Sequence, residues 1–342
     1  MKARGTGIAL GLYPTGIPYG GDFSQAIVKV KHDGSVNLLV GSVDIGQGAK
    51  TVLAQMVAEE LEIDLDLVSV LNEDTETSPM CVGAFASRIT YCDGLAVLQA
   101  AREAKAILLE VAAEILGAPP GELEAGQGRI FVSRQPERSV PIAEVAFKAT
   151  YQFNRIIAGR GHYMRPKVSL DPETGAIDPF ATLAWGASLA EVEVDTETGE
   201  VAVLRLVCAY DVGRAINPLL VEGQIQGGTA MALGSALMEQ FQPCYPSLDR
   251  QPETLGDYVI PTAVDVPEIR TRIVECPSTN GPFGAKGFGE MTANPPAPAI
   301  VSAVHDAVGV WIDELPLTPE KILRALDQKS APADQPAKRV VP

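Results

Sequence analysis

Ala26-Ile27-Val28-Lys29-Val30-Lys31-His32-Asp33-Gly34-Ser35-Val36-Asn37-Leu38-Leu39-Val40 alternates apolar and polar residues around an Asp-Gly pair. Alternation of period two marks strands buried on one face, and Asp-Gly is a tight-turn signal, so the stretch reads as a β-hairpin. It runs on to Asp44-Ile45-Gly46-Gln47-Gly48. The pattern returns in Ala190-Glu191-Val192-Glu193-Val194-Asp195-Thr196-Glu197-Thr198-Gly199-Glu200-Val201-Ala202-Val203-Leu204, which runs on to Asp211-Val212-Gly213. Each unit is a hairpin, then Asp-apolar-Gly, then a helix. The chain therefore reads as α+β with two related lobes, each a β-hairpin or sheet with packed helices. The first spans residues 1–165 and the second residues 166–327. Two units are too few for a solenoid, which needs at least about three.

Helical periodicity fills the rest of each lobe. Leu53, Met56, Val57 and Leu61 share one face of a helix expected from about Gly48 to Leu61. A second runs from about Gly94 to Leu116 and stops at Gly117-Ala118-Pro119-Pro120. Residues 118–160 read as short strands and loops. Further helices are expected at about Glu222–Gln240, Pro298–Val308 and Pro319–Leu326, the last with Thr318 as N-cap and Pro319 at N1. The polar, Pro-rich stretch 243–256 reads as a surface loop. Residues 328–342 lack core formers and read as a disordered tail.

Composition narrows the class. With 342 residues, 46% hydrophobic and 20% charged, this is an ordinary globular composition. No apolar run has membrane-spanning length, and the opening Met1–Leu12 makes a poor signal peptide. A net charge of -16 argues against nucleic acid, which needs a basic face. Cys81, Cys92, Cys208, Cys244 and Cys276 contain no C-x-x-C pair, so they mark neither a disulfide framework nor an iron–sulfur or zinc site. A reducing, cytoplasmic setting fits that pattern. His32, His162 and His305 share no ligand spacing.

Gly281-Pro282-Phe283-Gly284-Ala285-Lys286-Gly287-Phe288-Gly289-Glu290 is a glycine-rich loop ending in one acid, just before an apolar helix. Glycines admit close approach of backbone to a large ligand, and a carboxylate fixed at such a loop can act as a base. Three other segments share its character: Gly46-Gln47-Gly48, Gly83-Ala84-Phe85-Ala86-Ser87-Arg88-Ile89-Thr90, and Glu222-Gly223-Gln224-Ile225-Gln226-Gly227-Gly228. Each reads as a helix mouth, whose free N–H groups suit phosphates and whose Gln side chains suit a heterocycle edge. Taken singly, each is equally a turn plus a cap. None is a P-loop or a dinucleotide fingerprint.

In this order, the segments resemble those of the molybdenum hydroxylases, the xanthine dehydrogenase and aldehyde oxidase family. Asp44-Ile45-Gly46-Gln47-Gly48 is similar to the family's first pterin-contacting segment here, and Ala86-Ser87-Arg88-Ile89-Thr90 to the next. Asp211 to Pro218 with Gly223-Gln224 resembles the third, and Gly284 to Glu290 the loop bearing the catalytic glutamate. Gly20-Gly21-Asp22-Phe23-Ser24 departs from the family's G-G-x-F-G-x-K loop, which belongs to an earlier half of the molybdenum region. The chain thus resembles the second half of that region as a separate subunit, as in the split-subunit nicotinate dehydrogenases.

The resemblance implies a hydroxylase acting on an electron-poor carbon of an N-heteroaromatic ring, nicotinate-like or purine, with water as oxygen source. Glu290 would be the general base. Gly46, Gln47, Gly48, Ala86, Ser87, Thr90, Gln224 and Gly289 would contact a molybdopterin cytosine dinucleotide. Phe85, Ala86 and Tyr13 would face substrate. Molybdenum would be held by the pterin dithiolene, with no protein ligand. Implied partners are a second molybdopterin-binding subunit, an iron–sulfur subunit with [2Fe–2S] clusters and an FAD subunit. Aldehyde oxidation, CO oxidation, aryl-CoA reduction and a non-catalytic cleft-completing or assembly subunit remain open alternatives. Arg88 and Arg165 read as paired or solvated residues, with a carboxylated substrate as the other use of an Arg fork.

Overall fold

A computed structural model describes residues 1–17, 21–165, 171–175, 180–240 and 254–330. The chain opens with the long strand β1 (Lys2–Pro14), followed by the hairpin β2 (Phe23–Val30) and β3 (Val36–Val40), helix α1 (Ala49–Leu61) and strand β4 (Val68–Leu71). Helix α2 (Gly94–Leu116) comes next, entered through a π-type turn at Ile89–Asp93. A three-stranded meander follows, β5 (Leu123–Gly126), β6 (Arg129–Val132) and β7 (Gln135–Pro141), then α3 (Ile142–Tyr151) and β8 (Ile157–Met164). The second unit has β9 (Leu183–Asp195), β10 (Val201–Asp211), α4 (Pro218–Leu237), β11 (Glu268–Val274), α5 (Pro296–Val308) and α6 (Pro319–Ser330).

The two hairpins centre two sheets of one topology. The first has strand order β4-β3-β2-β8 and the second β11-β10-β9-β1. In each, the hairpin is antiparallel, one outer strand is antiparallel to it and the other is parallel. Both hairpin turns use a glycine of positive φ, Gly34 and Gly199. Each antiparallel outer strand carries Gly-x-Gly under an alanine-rich helix. A methyl group on Gly161 would fall 1.7 Å from the Ala96 carbonyl oxygen of α2, and one on Gly7 would fall 2.2 Å from that of Ala299 in α5. The glycines let backbone pack on backbone, and this closeness pins each helix across its sheet. One core, including Val28, Leu38, Met56 and Ala100, lies under the first sheet. A second, including Val192, Leu206, Tyr210 and Ile300, lies under the other.

Several expectations change. Residues 2–14, expected with the first lobe, form the edge of the second sheet, where β1 pairs with β9 from Lys2↔Asp195 to Pro14↔Leu183. The reason is the glycine pair: α2 is already taken by Gly159 and Gly161, and α5 offers the matching alanine surface. Helix α4 starts at Pro218, four residues before the expected Glu222, because the Asn217 side chain accepts the Leu220 N–H at 3.1 Å and Pro218 sits at N1. Gly223-Gln224 therefore lies inside a helix and not at its mouth. Residues 118–160 hold a helix, α3, as well as strands. Helix α6 extends to Ser330, three residues into the expected tail. The remainder of that tail and most of the expected 243–256 loop lie outside the described residues. No helix among the described residues is long and apolar enough to cross a membrane.

Candidate active site

The two units meet at a cleft of about 660 Å³. Tyr13, Gln47, Phe85, Ser87, Thr90, Gln224, Gly289 and Glu290 all line it. They arrive from five parts of the fold: the end of β1, the loop before α1, the segment before α2, the middle of α4 and the glycine-rich loop before α5. Gly46, Gly48 and Ala86 do not line it. Gly46 sits on the exposed loop, Gly48 packs beside Leu220, and Ala86 turns its N–H toward Glu290.

Asp44 shapes the first segment. Its Oδ1 accepts the N–H groups of Gly46 (3.0 Å) and Gly48 (3.3 Å), and its Oδ2 accepts that of Lys50 in the first turn of α1 (3.1 Å). Partial burial pushes this carboxyl up, but the N–H groups of Lys50, Gly46 and Gly48 outweigh it and hold the pKa below the usual carboxylate range. The internal repeat reaches this detail, since Asp211 Oδ1 accepts the Gly213 N–H at 2.9 Å. Asp211 also receives Lys286 Nζ at 2.6 Å, and the Lys286 N–H donates to the Val212 carbonyl at 2.9 Å. The second Asp-apolar-Gly turn thus holds the glycine-rich loop. Lys286 is consequently paired with a carboxylate. Gln47 folds onto its own loop, its Oε1 accepting the Ile45 N–H and its Nε2 donating to the Val43 carbonyl.

The loop before α2 carries the chemistry-bearing contact. Glu290 Oε1 accepts the Ala86 N–H at 3.1 Å and Oε2 accepts the Ser87 hydroxyl at 2.6 Å. Ser87 Oγ in turn accepts the Glu290 N–H at 3.0 Å. Ala86 and Ser87 both have positive φ, 48° and 51°. Non-glycine residues in that region are strained by about 1 kcal/mol or more each, and they persist only where surroundings over-determine them. Here the Ala86 carbonyl accepts the Gly16 N–H at 2.9 Å. The Ser87 carbonyl lies so close to Gly287 that a methyl group there would stand 1.9 Å from it. Tyr13 reaches the same corner. Burial first, and the Glu290 carboxylate second, push its phenol up to about 12, so it stays a neutral donor at neutral pH.

Arg88 anchors the base of this loop from inside. It is fully buried, with Nε 2.6 Å from Asp22 Oδ1 and Nη2 3.6 Å from Asp93 Oδ1. It also donates to the Phe23 and Gly83 carbonyls and to Ser24 Oγ. Burial disfavours its charge, but Asp93 and Asp22 outweigh that and raise its pKa further. Ser24, which stands where the family's earlier loop has glycine, is thus with Asp22 a partner of a structural arginine. Arg165 is buried too, donating to the Ile17 carbonyl at 2.6 Å.

Gly227, already quoted within the third segment, also lines the cleft, as do Leu220 and Met231, which were missed from sequence. They follow from Gln224 at spacings of three to seven residues, one face of α4, and the Asn217-Pro218 cap was the signal that would have set that helix in register. The lining fits a phosphate-bearing heterocyclic cofactor. In a chain of net charge -16, its ionisable lining besides Tyr13 is Arg214, the single acid Glu290, and Arg88 and Lys286, both of which are paired with carboxylates. Gly227 on the cleft wall has open space where a methyl group would stand. Gln224, Thr90 and Asn294 offer amide and hydroxyl groups to it.

Residues 1–267 match the family described as molybdopterin cofactor-binding domain. The gamma subunit of the 6-hydroxypseudooxynicotine dehydrogenase complex of Paenarthrobacter nicotinovorans is 35% identical over 311 residues, 88% of this chain and 37% of that one. The putative xanthine dehydrogenase molybdenum-binding subunit of Escherichia coli (strain K12) is 33% identical over 323 residues, 93% of this chain and 41% of that one. Among solved structures, quinoline 2-oxidoreductase from Pseudomonas putida 86 superposes with a TM-score of 0.83 at 30% identity, over 96% of this chain and 42% of that one. The chain thus spans about two fifths of the length of these relatives. Two repeated α+β units, a cleft at their seam and a match over most of the length agree: the chain belongs to the molybdopterin cofactor-binding domain family of the molybdenum hydroxylases.

Proposed function

We propose that this chain is the catalytic, molybdopterin-binding part of a multi-subunit molybdenum hydroxylase that hydroxylates an electron-poor carbon of an N-heteroaromatic substrate, nicotinate-like or purine, with oxygen from water. The observation that carries this reading is Glu290, the one carboxylate lining a largely apolar cleft into which amides, hydroxyls, glycines and three basic residues also face. When bound, molybdopterin cytosine dinucleotide supplies the two-electron redox centre. Gln47, Thr90 and Gln224 hold the pterin and its phosphates, with Gly289 leaving room for close approach. Glu290 takes up the proton released as oxygen is transferred, on a carboxylate oxygen already oriented by the Ala86 N–H. Tyr13 and Phe85 face the substrate at the mouth, and Phe85 is 40% exposed there, in reach of a flat ring.

The relatives' names support the substrate class, since 6-hydroxypseudooxynicotine, xanthine and quinoline are or carry nitrogen heterocycles. A second molybdopterin-binding subunit completes the molybdenum region in this reading. An iron–sulfur subunit with [2Fe–2S] clusters and an FAD subunit carry the electrons away. The test is elemental analysis of the complex purified through a tag on this chain, with its subunits identified. The expected result is molybdenum near one per copy, with iron and a second large subunit. In the same complex Glu290→Gln keeps its molybdenum and loses turnover by at least about 100-fold. Molybdenum-free material from molybdate-supplied cells, or near-normal turnover of Glu290→Gln, overturns the reading.

A further inference from the structure

The Ser87 side chain was expected to bind cofactor, yet its hydrogen-bonding capacity is directed elsewhere. A serine hydroxyl has one proton to donate. Ser87 gives that proton to Glu290 Oε2 at 2.6 Å and takes the Glu290 N–H at 3.0 Å on its own oxygen. Both contacts join the same two residues, 203 positions apart in sequence. They fix the glutamate at two points, at its backbone and at its carboxylate. With the Ala86 N–H on Oε1, both carboxylate oxygens are held.

The geometry needs an unusual backbone. With Ala86 and Ser87 both at positive φ, the chain turns an N–H and a hydroxyl toward the same carboxylate. That turn is locked from three sides: by the Gly16 N–H on the Ala86 carbonyl, by Gly287 against the Ser87 carbonyl, and by the buried Arg88 beneath. Strain concentrated and over-determined at one contact is a mark of preorganisation.

We propose that Ser87 is a positioning residue for Glu290, and that the Ala86-Ser87 turn is a preformed cradle that sets the carboxylate in place before cofactor and substrate arrive. This rests on the reading of Glu290 as the general base. Ser87 then acts through Glu290 and contributes nothing to holding the pterin.

The experiment compares wild type, Ser87→Ala and Ser87→Gly in the purified complex, alone and combined with Glu290→Gln. Glycine adopts positive φ freely, so Ser87→Gly removes the hydroxyl without adding backbone strain. Three quantities are read: molybdenum per chain, steady-state kinetics, and the rate at which a water-soluble carbodiimide labels Glu290, followed by peptide mass spectrometry. The expected result is unchanged molybdenum, a kcat lower by about 10- to 100-fold with little change in KM, and labelling faster by several-fold. In the Glu290→Gln background the loss of Ser87 costs no further activity, as for residues acting as one unit. Molybdenum falling in step with kcat while labelling stays constant makes Ser87 a cofactor residue and overturns the proposal. So do losses that multiply in the double variant. A wild-type complex that lacks molybdenum defeats the functional reading instead, and the labelling rates still decide whether Ser87 holds Glu290.

Discussion

A methyl group added to Gly287 and one added to Gly227 meet opposite fates, although both glycines line the same cleft. At Gly287 it lands 1.9 Å from the Ser87 carbonyl and 2.8 Å from Thr15 Oγ1, so backbone must move. Gly287→Ala is expected to destabilise the chain by about 1–3 kcal/mol, seen as a Tm lower by several degrees, and to disturb Glu290 as well. At Gly227 it meets open space inside α4. Gly227→Ala is expected to stabilise the isolated chain by about 0.5–1 kcal/mol through helix propensity, while lowering the molybdenum content of the complex because the methyl group occupies cofactor space. Thermal melts and metal analysis check both. Equal stability effects at the two sites would mean that the glycines serve no distinct purposes. The sequence showed that glycines crowd these segments. Which one admits backbone and which one admits a ligand is decided by neighbours from other elements.

At the scale of elements, two short Asp-apolar-Gly turns organise the cleft. Asp44 caps the start of α1 from five residues outside the helix, accepting the Lys50 N–H as well as two loop N–H groups. Asp44→Ala is expected to cost about 1 kcal/mol at neutral pH. The sign of its pH dependence follows from the lowered pKa: the folded value lies below the ordinary 3.8, so this contribution is complete above 3.8 and is lost as pH falls through the folded value. Urea unfolding of wild type and Asp44→Ala should therefore converge in acid. A gap that stays constant into strong acid would remove charge from the explanation. The repeat of this turn at Asp211 was legible as a pattern in the sequence. Its second duty, binding Lys286 Nζ, was not, because the partner lies 75 residues away.

For the whole molecule, the two matching sheets differ on their outer faces. The first shows Gln25, Lys29, Arg160 and His162 to solvent, the alternation expected of a half-buried sheet. The second shows Ile8, Leu10, Leu12 and Trp185, from 46% to 80% exposed. Register places Leu10 opposite Ala187 and Leu12 opposite Trp185, so these side chains form one continuous apolar band. A band of that kind on an edge strand promotes self-association. Expressed alone, the chain is expected to elute above its monomer mass in size exclusion with light scattering, and Leu10→Lys is expected to shift it toward monomer. A wild-type chain that runs as a monomer would show that the band is tolerated in water.

The sequence by itself determined the elements that local patterning controls. Hairpins follow from period-two alternation about a glycine turn, and α1 and α2 follow from apolar faces bounded by glycine, because these signals act within a few residues of chain. It also displayed, in order, the four segments of the cleft. The tertiary structure alone decided three further matters. It placed β1 with the second unit, since only contact with α5 distinguishes one Gly-x-Gly strand from another. It made Arg88 a buried anchor, since ion pairing to Asp22 requires residues 66 positions apart to meet. And it gave Glu290 its partners, since a strained turn is stable only when packing from Gly16, Arg88 and Gly287 converges on it, and no local pattern encodes that convergence.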